Sequence, residues 1–138
     1  MKIIKQGAEA ILYKEKDYLV KERIKKSYRI EEIDNKLRKF RTRREGKLLQ
    51  KTENSPQVFE VNDKEMKIKM EFIDGELVKD ILDDLRKDKR NNLLREIGGK
   101  VARMHDKDII HGDLTTSNMI LKDKIYFVDF GLGFDSKK

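Results

Sequence analysis

The chain has 138 residues, a net charge of +7, 43% charged and 37% hydrophobic residues, enough for one domain or two small lobes burying roughly two-thirds of the unfolded surface. So polar a composition, patterned this regularly, excludes a disordered coil. With no cysteine, disulfides, thiolate metal sites and cysteine nucleophiles are excluded, a reducing compartment fits, and any metal must be held by oxygen or histidine.

In chain order, Ile3-Ile4 through Leu12-Tyr13 and then Tyr18-Leu19-Val20-Lys21 predict two short strands joined around Lys14 to Asp17, with the first turn at Gly7. From Ile30 to about Lys51, Ile30, Ile33, Leu37, Phe40 and Leu48 recur at helical spacing and predict a long amphipathic helix that buries this stripe. It ends near Asn54-Ser55-Pro56. Strands are predicted at Val58–Val61 and Met66–Ile73, turning at Asn62-Asp63, with Lys67 and Lys69 on a solvated face. Asp74-Gly75 punctuates the chain. Helices follow over Leu77–Leu85 and Asn92–His105, the second burying Leu94, Ile97, Val101 and Met104.

No stretch has the length needed to cross a bilayer, and Met1–Lys5 lacks the apolar run of a signal peptide. A soluble, cytoplasmic protein without membrane contact is expected. A pI near 9.5 favours polyanionic partners. Nucleotide phosphates and RNA both qualify, and charge does not choose between them. The Lys, Glu and Ile richness suits a thermophile.

The most informative residues come late. His111-Gly112-Asp113-Leu114-Thr115-Thr116-Ser117-Asn118 is followed, after two apolar strands, by Asp129-Phe130-Gly131. In phosphoryl transfer by kinases an aspartate orients the attacking hydroxyl, an asparagine five positions on holds one Mg²⁺, and the aspartate of Asp-Phe-Gly holds the other. Asp113 is therefore the candidate catalytic residue, and Asn118 and Asp129 the candidate metal ligands. A hairpin closed by a two-residue turn at Asp123-Lys124 would set Asn118 directly opposite Asp129. Opposed side chains lie roughly 4.5–5.5 Å apart at Cβ, close enough to share one magnesium–phosphate cluster. The plainer alternative is an ordinary hairpin with polar residues at its mouth.

That frame assigns the earlier residues. Lys21 takes the place of the strand lysine that contacts ATP phosphates and pairs with a helix glutamate. Glu45 lies about 80° around the helix from Leu37, at the border of the apolar stripe, and either reaches Lys21 or sits exposed against Arg41 and Arg44. Gln6-Gly7-Ala8-Glu9-Ala10 occupies the place of a phosphate-covering loop with one glycine where three are usual. Its backbone N–H groups could still cradle phosphate. Glu71-Phe72-Ile73, before Asp74-Gly75, stands where backbone groups would meet adenine. Residues 36–44 hold six basic side chains, a candidate RNA contact or simply a solvated face. His111 more readily braces its loop than binds metal.

With these residues assembled, the chain resembles the small atypical kinase/ATPase family of the KEOPS (EKC) complex, the p53-related protein kinase family, in its archaeal form. The resemblance rests on Gly7–Ala10, Lys21 with Arg23, Tyr28-Arg29, Arg41–Glu45, Glu71–Gly75, His111–Asn118 and Val128–Gly133. It implies an α+β, minimal bilobal protein-kinase-like fold: a small β-rich N-lobe with one long helix (residues 1–73) and a reduced, mostly helical C-lobe (74–138). It further implies ATP and Mg²⁺ as cofactors. Implied partners are a sugar-kinase-fold catalytic subunit and other KEOPS subunits acting in threonylcarbamoyl modification of tRNA. The family continues beyond Asp129 with a basic segment, so a C-terminal truncation is expected.

Two departures from conventional protein kinases bear on mechanism. Gly112 replaces the arginine that couples to a phosphorylated activation loop, and Thr115 replaces the lysine that steadies the transferred phosphate. Slow phosphorylation of protein hydroxyls and a water acceptor follow from the second. The rival readings are an aminoglycoside-type small-molecule phosphotransferase, whose large helical substrate subdomain finds no counterpart here, and a non-catalytic scaffold binding RNA and partners through the basic helix.

Overall fold

The computed structural model describes residues 2–137. The chain divides into two compact units, one made of the residues up to Gln50 with Gln57–Phe72, the other of Lys51–Pro56 with the residues from Ile73 onward.

The first unit is a five-stranded antiparallel sheet with one helix. Its strands are β1 (Lys2–Gln6), β2 (Ala10–Glu15), β3 (Tyr18–Arg23), β4 (Val58–Asn62) and β5 (Lys67–Glu71), in the order β1-β2-β3-β5-β4. The first predicted strand is thus two, folded back at Gly7. The β2–β3 hairpin turns at Lys16, which adopts φ 57°. On β5 the alternation buries Ile68 and Met70 and leaves Lys67 and Lys69 half-exposed, as a sheet with one covered face requires. Helix α1 (Glu31–Lys51) opens with Glu31, Glu32 and Asp34 in its first turn, where acids complement the positive end of the helix. Gly46 lets it approach β4 closely, since a Cβ there would stand 2.7 Å from Val61 Cγ2.

Of the predicted stripe, α1 buries Leu48 but leaves Ile33 and Phe40 in solvent. Ile30, Ile33 and Phe40 are 70%, 51% and 59% exposed, whereas Asp34, Thr42, Glu45, Leu48 and Leu49 are buried. A polar network outweighs the apolar periodicity. Asp34 accepts from Lys26 N–H at 3.2 Å and Arg29 at 3.3 Å on one oxygen and from Arg38 at 2.7 Å on the other. Burial raises the pKa of Asp34, but the Lys26 N–H and the Arg38 and Arg29 guanidinium groups outweigh it and hold the carboxyl below its ordinary 3.8. A depressed folded pKa contributes stability above the unfolded value, lost as pH falls through the folded one. The stability gap between wild type and Asp34→Asn should therefore be widest above pH 3.8 and close below it. Thermal unfolding against pH would show this, and a constant gap would contradict it.

The second unit contains β6 (Glu76–Leu77), α2 (Val78–Ile81), a 3₁₀ turn (Leu82–Asp84), α3 (Lys87–Asp106), β7 (Ile109–Ile110), a second 3₁₀ turn (Thr116–Asn118), β8 (Met119–Leu121), β9 (Ile125–Phe127) and β10 (Phe134–Asp135). The helix predicted over Leu77–Leu85 shrinks to α2 because Glu76 and Leu77 are drawn into pairing with β8. Helix α3 starts earlier than predicted and buries Leu93, Lys100 and Met104, while Leu94 is exposed. Its orientation is set by Glu96 and Lys100, which are paired at 2.9 Å. Glu96 accepts from Ile125 N–H at 2.9 Å and Lys100 donates to the Ile125 carbonyl at 3.2 Å.

The β8–β9 hairpin departs from its predicted register by one residue. Met119 pairs with Phe127, Ile120 with Tyr126 and Leu121 with Ile125, around a three-residue turn in which Lys122 N–H donates to the Lys124 carbonyl. A one-residue slip exchanges the faces of a strand. The predicted register would set Ile125 against Lys122, whereas the observed one stacks apolar pairs over the core, where Ile125 and Phe127 are fully buried.

Candidate functional site

In the second unit the His111–Asn118 loop is built around two buried side chains. His111 is fully buried. Its Nδ1 accepts from Asp113 N–H at 3.1 Å, so the ring proton is on Nε2 and donates to the Val128 carbonyl at 2.8 Å. Its ring also packs on Phe130 at 4.5 Å between centroids. Asn118 Nδ2 donates to both the carbonyl (3.0 Å) and Oδ2 (3.1 Å) of Asp113. With its nitrogen committed to Asp113, the amide oxygen of Asn118 is the atom left for a cation.

Because of the register shift, Asn118 lies opposite Val128, whose N–H donates to the Asn118 carbonyl at 3.0 Å, and not opposite Asp129 as predicted. Asp129 follows in a left-handed conformation, φ 60°, which aspartate tolerates better than most residues. Its Oδ1 accepts from Gly131 N–H at 3.3 Å. Thus His111 and Asn118 both fix Val128, the residue that launches Asp129. Gly112 has φ +88°, and a Cβ on it would stand 2.2 Å from the Leu132 carbonyl oxygen. The arginine of conventional kinases has no room at this position.

Among the described residues no group of three His, Cys, Asp or Glu side chains gathers to hold a metal alone. An amide oxygen and a carboxylate are hard donors too few for a protein cage. They fit Mg²⁺, which keeps waters and is completed by substrate phosphates.

In the first unit, Lys21 Nζ lies 2.9 Å from Glu45 Oε2, and Arg23 lies 2.9 Å from Glu45 Oε1. Glu45 is 1% exposed, well inside the face of α1 rather than at its border. Of the alternative partners, Arg41 reaches Glu9 at 3.4 Å and Arg44 stacks over Phe40. Arg23 was not assigned a role from sequence. The signal was present, because residues two apart on a strand share a face.

In the Gln6–Ala10 loop, Gly7 N–H donates to the Ala10 carbonyl at 2.9 Å. Around Gly7 an added Cβ would meet nothing nearer than 3.6 Å, so this turn does not depend on glycine. At the predicted adenine segment, Glu71 N–H donates to Gln57 O at 2.8 Å and its carboxylate accepts from Gln57 N–H at 3.1 Å. The Phe72 ring carries Lys14 Nζ at 4.4 Å, and the Ile73 carbonyl accepts from Gly75 N–H at 3.1 Å. The boundary between the units falls between Phe72 and Ile73. Within the basic run of α1, Arg38 is tied to Asp34, Arg41 to Glu9 and Arg43 to Asp63.

Comparison with known proteins decides the family. A profile of the RIO domain matches residues 1–135. The chain belongs to the RIO-domain family. It is 51% identical to the KEOPS complex subunit Bud32 of Pyrococcus abyssi, covering 96% of this chain and 67% of that protein. It is 43% identical to the EKC/KEOPS complex subunit BUD32 of Encephalitozoon cuniculi, over 96% of this chain and 68% of the other. A probable bifunctional tRNA threonylcarbamoyladenosine biosynthesis protein of Methanobrevibacter smithii is 44% identical, but the chain spans only 25% of its length. Among solved structures, the Rio2 kinase–ADP/Mg²⁺–phosphoaspartate complex of Chaetomium thermophilum matches with a TM-score of 0.74 at 12% identity, covering 100% of this chain and 50% of that one. That last likeness is one of fold, and the fold is protein-kinase-like. The RIO-domain chain is accordingly an atypical serine/threonine kinase/ATPase, the family that its motifs resemble. No described helix is long and apolar enough to cross a membrane.

Proposed function

We propose that this RIO-domain chain binds Mg·ATP and transfers the γ-phosphoryl group to water or to a protein Ser/Thr hydroxyl. The observation that carries the reading is the double hold of Asn118 on Asp113, at 3.0 and 3.1 Å, which fixes a carboxylate beside an amide whose oxygen is left to take a cation. Asp113 orients the acceptor and takes its proton as the new O–P bond forms and the bond to the leaving ADP oxygen breaks. Asn118 and Asp129 would hold Mg²⁺, which would supply neutralisation of the phosphate charge. Lys21, aligned by Glu45, supplies a second positive charge to the phosphates. The Gln6–Ala10 backbone covers them, and the Glu71–Ile73 backbone meets adenine. The ADP and Mg²⁺ held by the Rio2 kinase of like fold support this ligand set.

With Thr115 in place of the phosphate-steadying lysine, water is the favoured acceptor. ATP hydrolysis then serves as a conformational step in threonylcarbamoyladenosine modification of cytoplasmic tRNA. The chain would work as a KEOPS subunit beside a sugar-kinase-fold catalytic subunit, with tRNA meeting the basic run of α1 over residues 36–44. The names of its relatives support this assignment. Turnover of labelled ATP, with inorganic phosphate and phosphoprotein separated, tests the chemistry. Asp113→Asn should lower turnover by about 10²-fold or more, and turnover within twofold of wild type would contradict the assignment.

A further inference from the structure

Glu45 serves two cations at once. Kinases commonly regulate themselves at a single lysine–glutamate pair, since the helix bearing the glutamate must be in place for catalysis. Here the second carboxylate oxygen is taken by Arg23, a permanently charged residue that is itself buried. Swinging α1 outward would strand a guanidinium without its counter-charge inside the unit, a costly state.

The backbone of Arg23 is fixed as well. Its N–H donates to the Met66 carbonyl at 2.9 Å, and its carbonyl accepts from Arg38 at 3.2 Å. Arg38 in turn holds the buried Asp34. Helix α1 is thereby fastened to β3 at Glu45 and again near its N-terminus. We propose that Arg23 is a positioning residue that keeps Glu45 aligned before nucleotide arrives, so that α1 has no swung-out state. The inference rests on the reading of Lys21 as a phosphate cation.

Dissociation constants for ADP and for adenosine, measured on wild type, Arg23→Gln, Arg23→Lys and Lys21→Met, test it. Arg23→Gln should weaken ADP about tenfold and leave adenosine within about twofold, and Arg23→Lys should recover most of the loss. Equal weakening of both ligands, or no weakening of ADP, overturns the proposal and marks Arg23 as merely structural. Lys21→Met should show the same ADP-only loss. If it does not, the phosphate assignment of Lys21 has failed, and the proposal fails with it. Should Arg23→Gln not fold, native-state amide exchange of wild type decides: amides of α1 around Glu45 should be equally protected with and without ADP. A gain in protection of about tenfold or more on adding ADP would overturn the inference.

Discussion

Gly112→Ala should be among the most destabilising single substitutions in the second unit. The residue has φ +88°, and the alanine methyl would stand 2.2 Å from the Leu132 carbonyl oxygen and 2.6 Å from its carbon. Both are backbone atoms, which cannot rotate aside as a flexible side chain could. The dihedral alone costs about 1–3 kcal/mol for a residue with a Cβ. Relieving the clash must also shift the turn in which Gly133 N–H donates to the Phe130 carbonyl at 2.9 Å, and Phe130 is fully buried against His111. Denaturant titration should register a loss of at least about 3 kcal/mol, near the large end for point substitutions. A loss below about 1 kcal/mol would mean that the loop relaxes freely.

Glu45→Ala should have a comparable effect in the first unit, for an electrostatic reason. The substitution leaves Lys21 and Arg23 facing each other with 11% and 7% side-chain exposure and no shared carboxylate. Removing one partner of a buried ion pair costs about 3–5 kcal/mol, because the remaining charge is uncompensated. Glu45→Gln should cost less, since its amide oxygen still accepts a hydrogen bond from one of the two cations and the side-chain volume is kept. Unfolding free energies of the two variants check the order. If Glu45→Ala lost no more than Glu45→Gln, the charge of Glu45 would not be what holds α1 to β3.

The sequence made the elements and their chemistry legible while misplacing several faces. Asp113, Asn118 and Asp129 stand out by type and spacing because they match the order of groups that phosphoryl transfer uses. The register of the hairpin between them is not, because Asp123-Lys124 is a permissive turn and the choice is made by packing Ile125 and Phe127 into the core. On α1 the apolar repeat of Ile30, Ile33 and Phe40 pointed to the wrong face. Asp34 and Glu45 determine the right one; Asp34 does so partly through its i,i+4 neighbour Arg38, but Glu45 does so through Lys21 and Arg23, which lie far off in sequence and carry no periodic signal. Lys100 does the same for α3 by reaching Ile125. Buried charge, more than apolar pattern, orients both long helices.

The central claim is that Asn118 and Asp129 hold the metal on ATP. Binding of Mn²⁺, a magnetic stand-in for Mg²⁺, should be followed by electron paramagnetic resonance in the presence of a non-hydrolysable ATP analogue, for wild type and Asp129→Asn. The account predicts nucleotide-dependent Mn²⁺ binding in wild type and its loss in Asp129→Asn, with metal-free analogue still bound. Undiminished Mn²⁺ binding in Asp129→Asn would contradict it.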